Sequence, residues 1–371
     1  MKDSLEDEVK LLRRMEVIDK HHKFHPKFYG YLAIKSESVH DSELKDAVYE
    51  LSDPVGDMYE VVTAYGGLSL SDGKATIYFK NAGAEKRLRM VKALLEGLQR
   101  MHDKGLVHGD LHGGNILLDV DAGQFNIIDF GRVMHPDEFA QDVVYEWWDY
   151  RLHEGATNYV WPKDPSLHDV IIQWANHDPE AANKNAVQRL ETVVQSPEII
   201  QRLVDRVPNK QLRVFSNNPN YCKVLEEYGL RVSDSDANED WKAAVKGFAA
   251  LALKFAKKIQ PSEADAKLPR KVNQKNRGRS EVEIALTQAY STIAPNFDAY
   301  SIGFTLLNFA EPFVLHHHTD TTQAWSKDIE IDRAIIIALV GLLRTDPFQR
   351  RIPGKMAEFL NEVLAANRQA V

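Results

Sequence analysis

The run His108 to Asn115 (HGDLHGGN), with Asp129-Phe130-Gly131 close behind it, constrains this chain more than any other stretch. Between the two lie Ile116 to Asp119, a turn at Asp121-Ala122-Gly123, and Phe125 to Ile128. Two apolar runs around a glycine turn predict a two-stranded ribbon. Such a ribbon returns Asp129 to the side of the glycine-rich loop. Asp110, Asn115 and Asp129 then offer two carboxylates and an amide, a set of hard oxygen ligands with a base among them, as Mg-assisted phosphoryl transfer requires. In that reading Asp110 accepts or orients the nucleophile's proton, and Asn115 and Asp129 hold Mg ions that bridge the phosphates of ATP.

These two runs resemble the catalytic loop and the metal-binding Asp-Phe-Gly of the protein-kinase-like superfamily, in the HGD form seen in diverged and small-molecule kinases. The resemblance implies an α+β, two-lobed fold with a truncated small lobe and a mainly helical large lobe carrying a long insertion. His112 stands where protein kinases usually carry a lysine near the transferred phosphate, so it either donates to that phosphate or caps the loop. His108 is expected to pack and bond locally. A zinc site from His108 and His112 is disfavoured, because their i, i+4 spacing falls in a loop and not on a helix. Gly109 replaces the arginine that reads activation-loop phosphorylation in many protein kinases.

The chain has 371 residues, enough for two domains or for one with a large insertion. Its 46 basic and 54 acidic residues give a net charge of -8, which argues against general binding of nucleic acid or acidic membranes. Cys222 is the single cysteine, so no intramolecular disulfide can form, and a reducing compartment is the natural reading. The longest apolar run, Ala334 to Leu343, is too short to span a bilayer, and Met1 to Lys10 is charged rather than signal-like. The expectation is a soluble, cytoplasmic protein.

Apolar spacing predicts a helix from Ser4 to about Asp19, then strands at Phe28 to Ile34 and Met58 to Ala64, ending at Tyr65-Gly66-Gly67. This order resembles the second half of a kinase small lobe, residues 1–66. The resemblance makes Glu8 the glutamate of the regulatory helix, which pairs with an ATP-binding lysine. It places Thr63 at the gatekeeper position and gives the backbone of Ala64, Tyr65 and Gly66 to adenine. The family's phosphate loop and strand lysine precede that helix, where only Met1 to Asp3 lie here. The expectation divides between a longer protein and a chain that has lost part of its ATP grip.

Glu85 to Lys104 is predicted as an amphipathic helix, with Leu88, Val91, Leu95 and Leu98 on one face and Leu94 and Met101 widening it. It leads into the His108 loop. The kinase pattern resumes at Pro295 to Gly303, where Asp298 resembles the aspartate that holds the catalytic-loop backbone. Near Arg350 the sequence resembles the segment whose arginine pairs with a glutamate after the activation segment, but no such glutamate is identifiable. The large lobe is thus 67–135 and 290–371.

Residues 136–289 are expected to be a mainly helical insertion and a surface for a partner protein. Helices are predicted at Glu138 to His153, Leu167 to Ala175, Glu180 to Val194, Glu198 to Val207 and Glu239 to Ile259. A strand-helix-strand unit is predicted from Leu212 to Val232, with its helix at Tyr221 to Tyr228. The aromatic faces around Trp147 and Trp148 read as core, and the basic stretch Lys267 to Arg279 as a solvated linker. His316 to His318 is expected to lie in a loop. Inserted chains of this kind are similar to diverged kinases of large DNA viruses, which places the protein in host cytoplasm or virion. The leading expectation is a Ser/Thr protein kinase using ATP and Mg. A small-molecule kinase and a pseudokinase scaffold are the alternatives.

Overall fold

The computed structural model describes residues 2–34, 58–63, 66–142, 165–207, 219–230, 234–259, 280–319, 327–344 and 346–369. In chain order the first half of these residues comprises α1 (Lys2–Ile18), β1 (Phe28–Ile34), β2 (Met58–Thr63), β3 (Leu68–Ser69), α2 (Gly73–Asn81), α3 (Ala84–Asp103), β4 (Ile116–Asp119), β5 (Gln124–Ile127) and α4 (Pro136–Asp142). The second half comprises α5 (Pro165–His177), α6 (Ala186–Gln195), α7 (Pro197–Arg206), α8 (Pro219–Glu227), α9 (Asp234–Ala256), α10 (Glu281–Ile293), α11 (Pro295–Thr319), α12 (Lys327–Gly341) and α13 (Pro353–Gln369). The class is α+β.

β1 and β2 form an antiparallel pair, and β3, β4 and β5 form a second antiparallel sheet in that order. In β4–β5, Ile116 faces Ile127 and Asp119 faces Gln124, so the predicted ribbon is present with its second strand starting one residue earlier. Gly67 is what lets β3 join. Its φ is +116°, and a Cβ there would lie 2.3 Å from the Leu118 backbone, so only glycine allows this approach.

α3 organises a first core. Leu88, Leu94, Leu95, Leu98 and Met101 are all fully buried, the result of apolar residues recurring at three and four positions on one face. α12 and α13 pack on this helix, and α11 packs on α12. Gly97 admits the ring of Phe24, since a Cβ at 97 would meet Phe24 Cγ at 2.3 Å. The buried Arg87 fixes α12 through a bidentate pair with Asp332, at 3.1 Å from Nε and 2.7 Å from Nη2. Its Nη1 also donates to the Lys80 and Ala82 carbonyls at the end of α2.

α4 to α7, α9 and α10 build a second core around Trp174, Leu190, Leu203, Trp241 and Phe248. That core also takes in Val107, just before the His108 loop, and Phe297 at the start of α11. In contrast α8 joins the first core through Tyr221, Val224 and Leu225, and Tyr221 Oη donates to the Leu307 carbonyl at 2.7 Å.

Several elements differ from the sequence reading. No helix begins at Glu180: α6 begins at Ala186, because Asn185 and Gln188 exchange side-chain bonds in a capping box that fixes the start there. Of the strand-helix-strand unit the described residues include the helix, as α8, and Leu230. Leu230 lies in no strand, its amide instead closing a turn on the Leu225 carbonyl, while Leu212 to Phe215 and Val232 lie outside the described residues. His316 to His318 are helical and not in a loop, since α11 continues through Pro312 with no glycine after Gly303 to stop it. α4 starts at Pro136 and is described to Asp142, so Trp147 and Trp148 fall outside, as does the basic stretch Lys267 to Arg279. Among the described residues no helix is long and apolar enough to cross a membrane.

Candidate active site

The His108 loop is held from three sides. Val107 and Met134 form an antiparallel bridge that closes its base, with N–H to carbonyl distances of 2.9 and 3.1 Å. On the β3 side, Leu70 N (3.1 Å) and Ser69 Oγ (2.9 Å) donate to the Gly113 carbonyl. From α11 comes the fully buried Asp298, which accepts from His108 N at 2.7 Å and Gly109 N at 2.8 Å. His102 Nε2 donates to the same carboxylate at 3.0 Å. Gly109 has φ +75°, and a Cβ there would sit 2.8 Å from the Phe139 ring. An arginine at this position would therefore be excluded by backbone and by space alike.

His108 is fully buried, and its Nε2 donates to the Ile128 carbonyl at 3.1 Å while Nδ1 faces Asp110 N at 3.4 Å. Burial pushes this imidazole below its ordinary value, against the pull of Asp298 and, further off, of Asp110 and Asp129. It is thus neutral at pH 7 and ties the loop to the end of β5. His112 caps the loop: Nδ1 accepts from Gly114 N at 3.0 Å. That bond fixes the tautomer with hydrogen on Nε2, so capping by one nitrogen leaves the other a donor.

Asp110, Asn115 and the approach to Asp129 are joined by hydrogen bonds. Asn115 Nδ2 donates to the Asp110 carbonyl at 2.9 Å, and Ile128 N donates to the Asn115 carbonyl at 3.0 Å. Asp129 comes directly after, exposed and in the left-handed conformation with φ 59° and ψ 69°. Such a backbone costs a non-glycine residue about 1–2 kcal/mol. Next to it Phe130 is buried, 6.2 Å from the His25 ring and 5.7 Å from the His108 ring. The donor chemistry fits a hard cation such as Mg. Asp129 offers an exposed carboxylate, and because the nitrogen of Asn115 is committed to Asp110, its Oδ1 is the atom left for a metal.

The residues expected on the nucleotide side, Glu8 of the regulatory helix among them, lie only in part within the described residues. Glu8 lies on α1 and Thr63 ends β2, while Ala64 and Tyr65 lie outside the described residues. Gly66 is buried, and its carbonyl already accepts from Asn126 Nδ2 at 2.8 Å. Arg350 turns inward: its guanidinium lies 5.1 Å over the Tyr300 ring, and Nη1 donates to the Asn296 carbonyl at 2.9 Å. His102, Ser69 and Asn126 have no local motif to mark them. His102 meets its partner 196 residues away, and only the folded chain brings them together.

Beside Gly113 lies a cavity of about 270 Å³ lined by Leu70, Ser71, Thr76, Phe304, Thr305 and Asn308, among others.

Residues 72–160 match the model of the phosphotransferase enzyme family, a span that contains the His108 loop and Asp129. Serine/threonine-protein kinase pim-2 of Danio rerio is 29% identical over 133 residues, covering 33% of this chain and 38% of that protein. CBL-interacting serine/threonine-protein kinase 1 of Arabidopsis thaliana is 30% identical over 110 residues, 29% of this chain and 20% of that protein. Serine/threonine-protein kinase 1 of African swine fever virus (strain Badajoz 1971 Vero-adapted) is 28% identical over 74 residues, 20% of this chain and 25% of that protein. The chain spans between 20% and 39% of the length of the first curated relatives it matches. The HGD loop anchored by Asp298, the Asp-Phe-Gly run returned beside it by the ribbon, and these partial matches together support a likeness to the protein-kinase-like superfamily.

Proposed function

We propose that the chain transfers the γ-phosphoryl group of ATP to a hydroxyl group, with Ser or Thr of a protein as acceptor. The observation that carries this reading is that Asn115 bonds the Asp110 carbonyl and accepts from Ile128, the residue before Asp129, while Asp298 holds the loop amides of His108 and Gly109. Asp110 takes the proton of the acceptor hydroxyl as its oxygen bonds to the γ-phosphorus. The bond from that phosphorus to the β–γ bridging oxygen breaks, and ADP leaves. Asn115 Oδ1 and the Asp129 carboxylate would hold Mg, which when bound would neutralise charge on the phosphate oxygens. His112 Nε2 donates to the transferred group. The need for ATP and the single Cys222 support a cytoplasmic setting for this reaction.

The test is transfer of labelled phosphate from ATP to a panel of proteins and to the chain itself, with Asp110→Asn beside it. Label that is found with the wild type and vanishes in the variant supports the reading, and equal label in both sinks it. A second assay reads the metal pair without turnover. ATP with Mg should raise the melting temperature more than either alone, because a ligand at a hundred times its Kd stabilises by about 2.7 kcal/mol. Asp129→Asn should lose most of that synergy and keep its melting temperature without ligand. Should wild type and variant shift alike, Asp129 holds no metal-bound nucleotide, and a scaffold remains.

The cavity beside Gly113 favours one variant of the same chemistry, a small-molecule acceptor. Its named lining residues carry no charge, and Thr305 Oγ1 is buried there with no hydrogen-bond partner among the described residues. Label on an uncharged alcohol from a metabolite panel and on no protein would decide for it.

A further inference from the structure

We infer that Glu16, His22 and His25 form a site for a zinc-class divalent cation, which pins the last turn of α1 to the loop leading into β1. One ligand atom from each of the three residues lies within 4.8 Å of the others. The decisive residue is His25. It is fully buried, and its Nε2 has no hydrogen-bond partner among the described residues. An idle buried ring nitrogen forfeits the hydrogen bonds it would make in water, so it calls for a ligand.

His25 Nδ1 also makes no hydrogen bond among the described residues, but a carboxylate, Asp19, faces it. Asp19 Oδ2 accepts from Phe24 N at 2.8 Å and His25 N at 3.2 Å, and lies 3.3 Å from His25 Nδ1. A carboxylate there keeps the proton on Nδ1 and turns the lone pair to Nε2, the arrangement that orients metal-binding histidines. The His22 ring stacks on His25 with centroids 5.4 Å apart, and its Nε2 is 3.7 Å from Glu16 Oε2. Glu16 Oε1 is occupied by Phe28 N at 2.7 Å, which steadies the carboxylate and leaves Oε2.

Two imidazoles and a carboxylate suit zinc, cobalt or nickel and not Mg or Ca. Tetrahedral zinc places its donors about 3.4 Å apart, so the widest pair need close by only about 1.4 Å. Glu16 and His22 are 28% and 31% exposed in their side chains, which gives the ion a path in and a water the fourth position. The loop is already fixed to β5, with Ile127 N on the Phe24 carbonyl at 2.7 Å and Gln124 Nε2 on the His22 carbonyl at 2.8 Å. A bound ion would add α1 to that frame directly behind Phe130. The site stands independently of the phosphotransfer reading.

The chelator-stripped full chain is titrated with Zn(II) against a chromophoric competitor, and melting is followed with and without Zn(II). Glu16→Gln keeps the acceptor for Phe28 N. His22→Asn suits the left-handed backbone at 22, where φ is 47°. A chain with His316 to His318 replaced by alanine removes the other histidine cluster. The expected result is one Zn(II) equivalent that survives the triple replacement, weakens at least about tenfold in each single variant, and raises the melting temperature only where its ligands are intact. Absence of bound zinc, unchanged affinity in both single variants, or loss of all zinc with the triple replacement overturns the site.

Discussion

Asp298 is fully buried and takes three donors, so its removal strands two loop amides. Each buried unsatisfied donor costs about 1–3 kcal/mol, and Asp298→Ala should therefore lose roughly 3 kcal/mol or more. Denaturant unfolding without ligand reads this, and a loss under about 1 kcal/mol would show the amides satisfied elsewhere. His108 yields a pH prediction of definite sign. Burial lowers its folded value, so below about pH 6.5 the unfolded chain binds a proton that the folded chain refuses. Stability should fall as pH drops through that range, by up to about 1.4 kcal/mol per pH unit from this group. His108→Gln keeps a donor for the Ile128 carbonyl, and its pH 5–7 stability profile should be flatter than that of the wild type. Superimposable profiles would put the proton on His108 in both states. The anchoring role of Asp298 was legible in the sequence because it sits in a recognisable run. Its partner His102, and the Asn126 bond to Gly66, were not, since neither contact is local.

At the scale of the element, α3 is the part most exposed to overpacking. Gly97 faces the buried Phe24 ring so closely that a methyl group must displace it, and Gly97→Ala should destabilise by about 1–3 kcal/mol although alanine is the better helix former. Phe24→Leu in the same chain should recover part of that loss, whereas a stabilised Gly97→Ala protein would mean that Phe24 sits elsewhere. The helices were largely readable from the recurrence of apolar residues, α3 within one residue at each end. Their limits moved where local bonding outweighed pattern. Asn185 with Gln188 starts α6 late, and α11 runs through Pro312 into the three histidines. A run as short as Leu230 to Val232 carries too little periodicity to tell strand from turn.

Across the whole molecule the question is whether the second core bears on the His108 loop. Periodicity tells which face of a helix is apolar but not which helix it meets, so this junction could not be read in advance. The described rings form a continuous path. Phe248 on α9 meets Tyr290 edge-on at 6.5 Å, Tyr290 stacks on Phe139 at 6.4 Å, and Phe139 meets Phe297 at 5.1 Å. Phe139 in turn occupies the space over Gly109, and Phe297 adjoins Asp298, whose carboxylate holds the loop amides. Phe248 is fully buried, so Phe248→Ala should cost about 3–5 kcal/mol through the lost burial and the cavity it leaves. Because Val107 and Phe297 belong to the same core, loosening it should also loosen the bonds from Asp298 to His108 and Gly109. Hydrogen exchange measured by segment separates the outcomes. Faster exchange in α9 and α10 together with the His108 loop is the expected result, with loss of phosphotransfer in proportion. Faster exchange confined to α9 and α10, with the loop protected as in wild type, would mean that the second core only abuts the site and does not support it.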